Sequence, residues 1–456
     1  MALSTAGEQP GTTTTTAAQR RRTGRWIDQW DPEDTEFWEQ EGRPVARRNL
    51  IVSIFVEHLG FTVWMLWSIV AVNLNNAGFS LSDSQLLWLV AVPSLVGATM
   101  RLPYTFAVGL FGGRNWTIVS ALLLLVPCFG LMWAVQHPDI PFWALLTVAA
   151  TAGLGGGNFA SSMTNISYFY PEREKGWALG LNAAGGNIGV AVVQAPFVVT
   201  AVITAGGSLV LWRAGFMWVP LILLAAYLAW RLMDNLGTAQ ADFSTSAAAA
   251  KRPHTWVMSF LYIGTFGSFM GYAAAFPLLI KMEFAGVNPA SYAFLGALVG
   301  SLARPFGGRW ADRVGGARVT AACFVVMGLG VGLAVLALRA EWFAGFLGSF
   351  LLLFVATGIS NGSTYRMIPS IFRETAGEGE EELLRSKREA AAAIGIIAAV
   401  GAFGGFCVPR IYATAAERSG SIEPAMLVYI GVYAVMLAVT WFFYLRPSAP
   451  MAKARV

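Results

Sequence analysis

The chain carries little charge for its length. Of 456 residues only 12% are Asp, Glu, Lys or Arg, about half the share found in average soluble proteins. So few charges cannot hydrate the surface of a soluble globular protein this large. The same figure excludes a disordered chain and a nucleic-acid binder. Cysteine is scarce too. Cys128, Cys323 and Cys407 lie far apart in apolar surroundings, which gives neither a disulfide framework nor metal-ligand spacing. The three His residues are equally scattered. No metal and no cofactor are expected. No segment ends in the Gly-Lys-Ser/Thr of a phosphate-binding loop, which argues against ATP as the energy source. No nucleophile–base pairing is present, so an enzyme is not expected. The N-terminus opens on a Thr run and a basic patch, without the short apolar core and cleavage site of a signal peptide.

What is present is apolar: 56% hydrophobic residues, with 30 Phe, 17 Trp and 49 Gly, and a mean hydropathy of +0.56. A helix must place roughly 20 apolar residues across a ~30 Å hydrocarbon layer. Twelve stretches qualify, near 49–74, 85–110, 117–136, 141–166, 177–202, 208–233, 256–280, 290–308, 317–338, 342–371, 389–410 and 424–445. The expected fold is an all-α membrane protein with twelve transmembrane helices. An even number leaves both termini on one side. Of 31 basic residues, 23 fall on that side and five on the other (Arg213, Lys281, Arg339, Arg410, Arg418). Arg101, Arg304 and Arg366 fall inside spans. The positive-inside rule then predicts cytoplasmic termini.

The polar segment 234–255 reads as a linker. The expected organisation is an N-tail over 1–48, a six-helix half over 49–233, the linker, a second half over 256–445 and a C-tail over 446–456. Residues 1–24 look disordered. Residues 25–48 mix Trp26, Trp30 and Trp38 with charges and read as an interfacial helix lying on the bilayer. Residues 373–388, rich in Glu and Arg, read as a solvated helix.

The halves repeat weakly. Gly97 and Arg101 match Gly300 and Arg304 at an offset of 203. Gly153 and Gly157 match Gly358 and Gly362 at 205, and Gly180, Gly186 and Gly189 match Gly395, Gly401 and Gly404 at 215. Each offset pairs span n with span n+6, which makes the halves parallel repeats. After span eight, Gly307 to Arg318 resembles the charged loop of the Major Facilitator Superfamily, with Gly308, Asp312 and Arg313 as gating residues. After span two the matching loop is shortened to Phe111–Asn115.

Arg101 and Arg304 lie well inside spans two and eight. An arginine in hydrocarbon costs roughly 2.5 kcal/mol or more and is rarely idle. Neither span offers an acid at that depth, so snorkelling or a local ion pair is the weaker explanation. Two cations from symmetry-related positions call for an anion, and planar guanidinium forks suit planar oxyanions. The glycines of spans four, five and eleven permit tight helix packing and leave a narrow space, which argues against sugars and bulky drugs. Glu57 and His58 are titratable residues in span one, about eight residues past Asn49 and roughly 12 Å deep. Proton relay is the usual role for such residues; a structural ion pair is the equal alternative.

Ala152 to Pro171, Gly176 to Gly189 and Ala391 to Phe406 resemble the two nitrate signatures of the nitrate/nitrite porter family of the Major Facilitator Superfamily. Gly362 to Tyr365 and the N-tail residues Trp30 to Asp34, Phe37 and Trp38 fit as well. The likeness runs from about residue 26 to the end. It implies that Arg101 and Arg304 hold the anion, that Phe159 and Phe266 wall it, and that Asn187 and Tyr262 hydrogen-bond it. Gly180 and Gly395 fall within the signatures and are included in the expected site. Glu57 to Phe61 resembles the branch assigned to nitrate/proton symport. The expected function is nitrate uptake by alternating access, with a nitrate/nitrite antiporter as the alternative and a non-transporting nitrate sensor as a remote one. Nitrate, nitrite, protons and lipid are the expected partners, in a monomeric cell-membrane protein.

Overall fold

The computed structural model describes residues 25–198, 208–239, 243–452 and 456; the segment expected to be disordered, 1–24, lies outside them. Ten helices among the described residues are long and apolar enough to cross a membrane: Thr35–Asn73, Asp83–Phe111, Gly113–Ala134, Glu172–Gln194, Arg213–Leu232, Pro253–Glu283, Gly316–Arg339, Phe343–Glu374, Glu380–Ser419 and Glu423–Leu445. Two more complete the twelve. The fourth span runs as Phe142–Thr151 and Leu154–Phe169, broken at Ala152 and Gly153. The eighth, Ala293–Val314, carries Arg304, Arg309, Asp312 and Arg313. The fourth stands apart because its glycine-rich middle breaks it into two short helices, and the eighth because it carries charge.

Several helix ends differ from the sequence expectation. Span one starts near Thr35 and span eleven covers Glu380–Ser419, so both extend beyond their apolar cores. Span two opens on a capping box. The Ser82 hydroxyl accepts from the Gln85 amide (3.3 Å) and Gln85 Oε1 accepts from the Ser82 amide (2.9 Å), which satisfies two donors a helix start leaves free.

The charged segment after span eight is not the loop expected from its sequence. The helix continues to Val314, and only Gly315 separates it from the next helix. Gly315 has φ +98°, and Gly112, which joins spans two and three, has φ +86°. Residues with a Cβ rarely adopt this backbone, and glycine does so freely. The two joints are 203 residues apart, the offset of Arg101 and Arg304. The repeat is thus visible in the backbone. Asp312 lies on the helix and accepts from Arg366 Nε at 2.6 Å, with both side chains about half exposed. Arg366 therefore ties span ten to the end of span eight and is not part of the interior. Gly308 has open space around it.

The halves meet where span two packs on span eleven and span five on span eight. Moving every span by six exchanges these two contacts, as a pseudo-twofold requires. On the face away from the termini the halves are tied together. Lys281 Nζ donates to the Val72 carbonyl at 2.5 Å, Ser84 bonds Glu417, and the Arg410 guanidinium lies 3.6 Å from the Trp88 ring centre. Gln194 Nε2 adds a bond to the Ala273 carbonyl at 2.7 Å.

The N-terminal segment is not an interfacial helix. Trp26–Ile27 pairs in parallel with Asn235–Leu236 of the linker. Trp30 and Trp38 are buried against Phe169, Tyr170 and Leu236. Trp38 Nε1 and Arg43 each donate to Glu174 at 3.0 Å, and Arg48 pairs with Asp234 at 2.5 Å. Both indoles find an apolar protein face, and that of Trp38 a carboxylate acceptor, so lipid is not needed to cover them. Trp38→Ala is expected to cost about 3–5 kcal/mol and to lower the thermal unfolding midpoint in detergent. An unchanged midpoint would mean that this segment rests on the protein without stabilising it.

Candidate functional site

Arg101 is fully buried. Its guanidinium carbon lies 4.6 Å from the Phe159 ring centre and 4.8 Å from that of Phe266. Those rings are 6.2 Å apart and 25° from parallel. Trp64 adds a third aromatic face at 5.4 Å. Nε donates to the Gly156 carbonyl at 3.3 Å and Nη1 to the Ala398 carbonyl at 2.8 Å. The two carbonyls belong to different halves. Nη2 is buried and has no partner among the described residues.

Arg304 is 8% exposed. Its guanidinium lies 5.7 Å from the Tyr365 ring centre and acts electrostatically on the Tyr262 hydroxyl. Its Nη1 is likewise buried without a partner. Tyr262 donates to Asn361 Oδ1 at 2.8 Å and stacks on Phe266 with ring centres 5.4 Å apart. A π-helical turn over Ile263–Gly267 sets this aromatic pair. Such turns insert one extra residue and recur at functional sites.

Neither guanidinium has a carboxylate within ion-pair distance among the described residues. Unpaired buried cations are costly. Here two of them keep free donors beside aromatic rings, a setting whose chemistry suits a small planar anion.

The family model for the Major Facilitator Superfamily matches residues 51–379. The nitrate/nitrite transporter NarU of Salmonella typhimurium is 41% identical over 92% of this chain and 96% of its own length. Its namesake in Escherichia coli is 40% identical over 94% and 98%. The chain belongs to the nitrate/nitrite porter family of the Major Facilitator Superfamily. A further porter, the probable nitrate/nitrite antiporter NarK2 of Thermus thermophilus, is 38% identical over 93% and 98%. Among solved structures, a D-xylose–proton symporter matches with a TM-score of 0.64 at 17% identity, covering 89% of this chain and 99% of that one. A bacterial homolog of the lysosomal transporter Spinster, inward-facing and unoccupied, matches at 0.66 and 14%, covering 88% and 97%. At such identities the likeness is one of fold. A porter of this superfamily is a multi-pass membrane transporter and not an enzyme.

The structure brings together Arg101, Arg304, Phe159, Phe266 and Tyr262. Asn187 is buried on span five with its amide oxygen unpartnered, and it makes no hydrogen bond to either guanidinium. Gly180 and Gly395 make no contact with the other expected site residues. Gly180 is exposed, with no atom within 4 Å of an added Cβ, and Gly395 would meet only Thr105, at 3.7 Å. Neither touches an arginine; both leave open space. Trp64, Asn361 and Tyr365 were not expected as site residues. Only Tyr365 had a signal, its place in the Gly362–Tyr365 motif.

Glu57 and His58 part company. Glu57 is fully buried and accepts from Asn182 Nδ2 at 2.6 Å. It makes no ion pair among the described residues, yet Arg101 and Arg304 both act on it through space. His58 Nδ1 lies 3.1 Å from the Gly185 carbonyl. A carbonyl only accepts, so Nδ1 carries the proton, and the ring ties span one to span five.

Proposed function

We propose that the chain carries nitrate into the cell by alternating access, with a proton moving alongside. The observation that carries this is the pair of buried guanidiniums with free donors, one from each half, facing aromatic walls. Nitrate is small and flat, and its charge is spread over three oxygens. Forked donors and ring faces suit it better than a compact ammonium would. The relatives named nitrate/nitrite transporters support the substrate, and nitrite fits the same chemistry. Both termini are cytoplasmic in this reading, and the closed face is the outer one. The protein works as a monomer.

Coupling follows from energetics. A membrane potential negative inside opposes entry of an anion by about 2.3 kcal/mol per 100 mV. Uptake needs co-moving protons or an outgoing anion. Glu57, buried without a cationic partner and within electrostatic reach of both arginines, supports protons. The Thermus relative, named an antiporter, favours exchange with nitrite as the second reading.

Proteoliposomes and labelled nitrate separate the two. Acidifying the outside is expected to accelerate uptake without internal nitrite. Stimulation by internal nitrite alone, with no effect of the pH gradient, would replace symport by antiport. Protected binding without flux would make the protein a sensor.

A further inference from the structure

Glu57 turns one oxygen away from Asn182. That atom, Oε1, is buried and has no hydrogen-bond partner among the described residues. Glu57 lines a cavity of about 10 Å³ together with Ser53 of span one, Thr117 and Ser120 of span three, and Asn158 and Ser161 of span four. Ser53 Oγ and both amide atoms of Asn158 are also buried and unpartnered. One water needs roughly 10–15 Å³ and two to four polar partners. Volume and chemistry both match a single molecule.

The polar lining continues toward the side that carries the termini. Asn158, Ser161, Ser162 and Asn165 follow one another at helical spacing on one face of span four. Asn165 is buried, its Nδ2 is unpartnered, and its amide crowds Gly113 at the start of span three. Thr117 Oγ1 donates to the Gly113 carbonyl at 2.7 Å. Thr117 is four residues into span three, roughly 6 Å from its start. The Gly112 joint stands just beyond.

We infer that one water bound between Glu57, Ser53 and Asn158 is the first step of a proton exit that runs through the N-terminal half, between spans one, three and four, separate from the anion's path between the halves. It rests on the proton-symport reading and deepens it. In the step, the O–H bond of protonated Glu57 breaks and an O–H bond to the water oxygen forms. Glu57 is left as a carboxylate; the hydronium passes one proton to the Thr117 hydroxyl oxygen, and the proton Thr117 held toward the Gly113 carbonyl leaves for solvent water at the Gly112 joint. The charged and titratable groups around Glu57 are Arg101 of span two, Arg304 of span eight, Tyr365 of span ten and the adjacent His58. The lining residues from spans three and four carry none. The exit is therefore a neutral polar lane facing away from two fixed cations, which repel a proton from the anion's path.

The test is Ser120→Val, which fills the cavity, beside Ser120→Ala, which leaves it open. Labelled nitrate is followed in proteoliposomes in two modes: accumulation driven by a pH gradient, and nitrate–nitrate exchange, which needs no net proton transfer. Ser120→Val is expected to lower gradient-driven accumulation about tenfold and leave exchange near wild type, and Ser120→Ala to keep accumulation. Unaltered accumulation in Ser120→Val overturns the exit. So does equal loss of both modes in Ser120→Val and Ser120→Ala, which marks a structural role. If wild type ignores the pH gradient, the symport reading fails on its own. The water is then read separately by infrared spectroscopy at acidic pH. The Glu57 carboxyl band, identified by its loss in Glu57→Gln, should move to higher wavenumber in Ser120→Val; an unmoved band overturns the bound water. Uptake driven by a sodium gradient would assign the cavity to a cation and overturn the proposal.

Discussion

Arg101→Lys and Arg304→Lys are each expected to cut nitrate uptake by about a hundredfold, equivalent to roughly 3 kcal/mol. Lysine keeps the charge at both places, so the loss measures geometry. At Arg101 the planar group fills the space between Phe159 and Phe266, 4.6 and 4.8 Å from their centres. It also spends two nitrogens on the Gly156 and Ala398 carbonyls and keeps a third free. An ammonium on a flexible stem cannot hold two carbonyls in one plane, fill the aromatic slot and present a donor to nitrate together. Arg304 has a looser setting beside Tyr262 and Tyr365, so its substitution should raise the half-saturating nitrate concentration more than it lowers the maximal rate. Labelled nitrate flux in proteoliposomes reads both quantities. Arg366→Lys is the control, because its partner Asp312 is half exposed and such pairs contribute little. Full activity in both interior variants would mean that positive charge alone suffices.

Glu57→Gln should abolish acceleration by a pH gradient and leave nitrate exchange largely intact. Glutamine has the same shape and still offers Asn182 an acceptor, so the span one–span five contact survives. What disappears is the group that takes up and releases a proton. The sign is definite: external acid speeds wild-type uptake and leaves the variant at the rate seen without a gradient. His58→Gln should keep the response, since the imidazole is engaged with a backbone carbonyl of span five. A pH response that persists in Glu57→Gln would move the proton carrier to another residue.

Arg101 and Arg304 were readable because charge in an apolar run is conspicuous and the 203-residue offset paired them. Phe159, Phe266 and Tyr262 entered only through the family resemblance, because an aromatic residue in a span has no signature that tells site from packing. Gly180 and Gly395 entered the same way, because sequence marks a glycine but not what faces it, and these face open space. Trp64, Asn361 and Asn182 escaped notice because their importance lies in partners 29 to 125 residues away. The N-terminal tryptophans were read as lipid-facing because amphipathic composition does not say whether a bilayer or a protein covers it. Here Phe169, Tyr170 and the linker do. The charged segment after span eight was read as a loop because turn residues cluster there, whereas one positive-φ glycine is enough to turn the chain.

The π-helical turn at Ile263–Gly267 makes the site sensitive to chain length. Deleting one residue there would rotate the remainder of span seven by about 100° and draw it in by about 1.5 Å. Phe266 would swing off the Arg101 guanidinium, and Gly267 would leave Gly404, whose added Cβ would stand only 2.6 Å from the Gly267 Cα. A single codon gained or lost at this bend would thus dismantle the aromatic wall and the helix contact behind it together, while every side chain that touches the anion kept its identity.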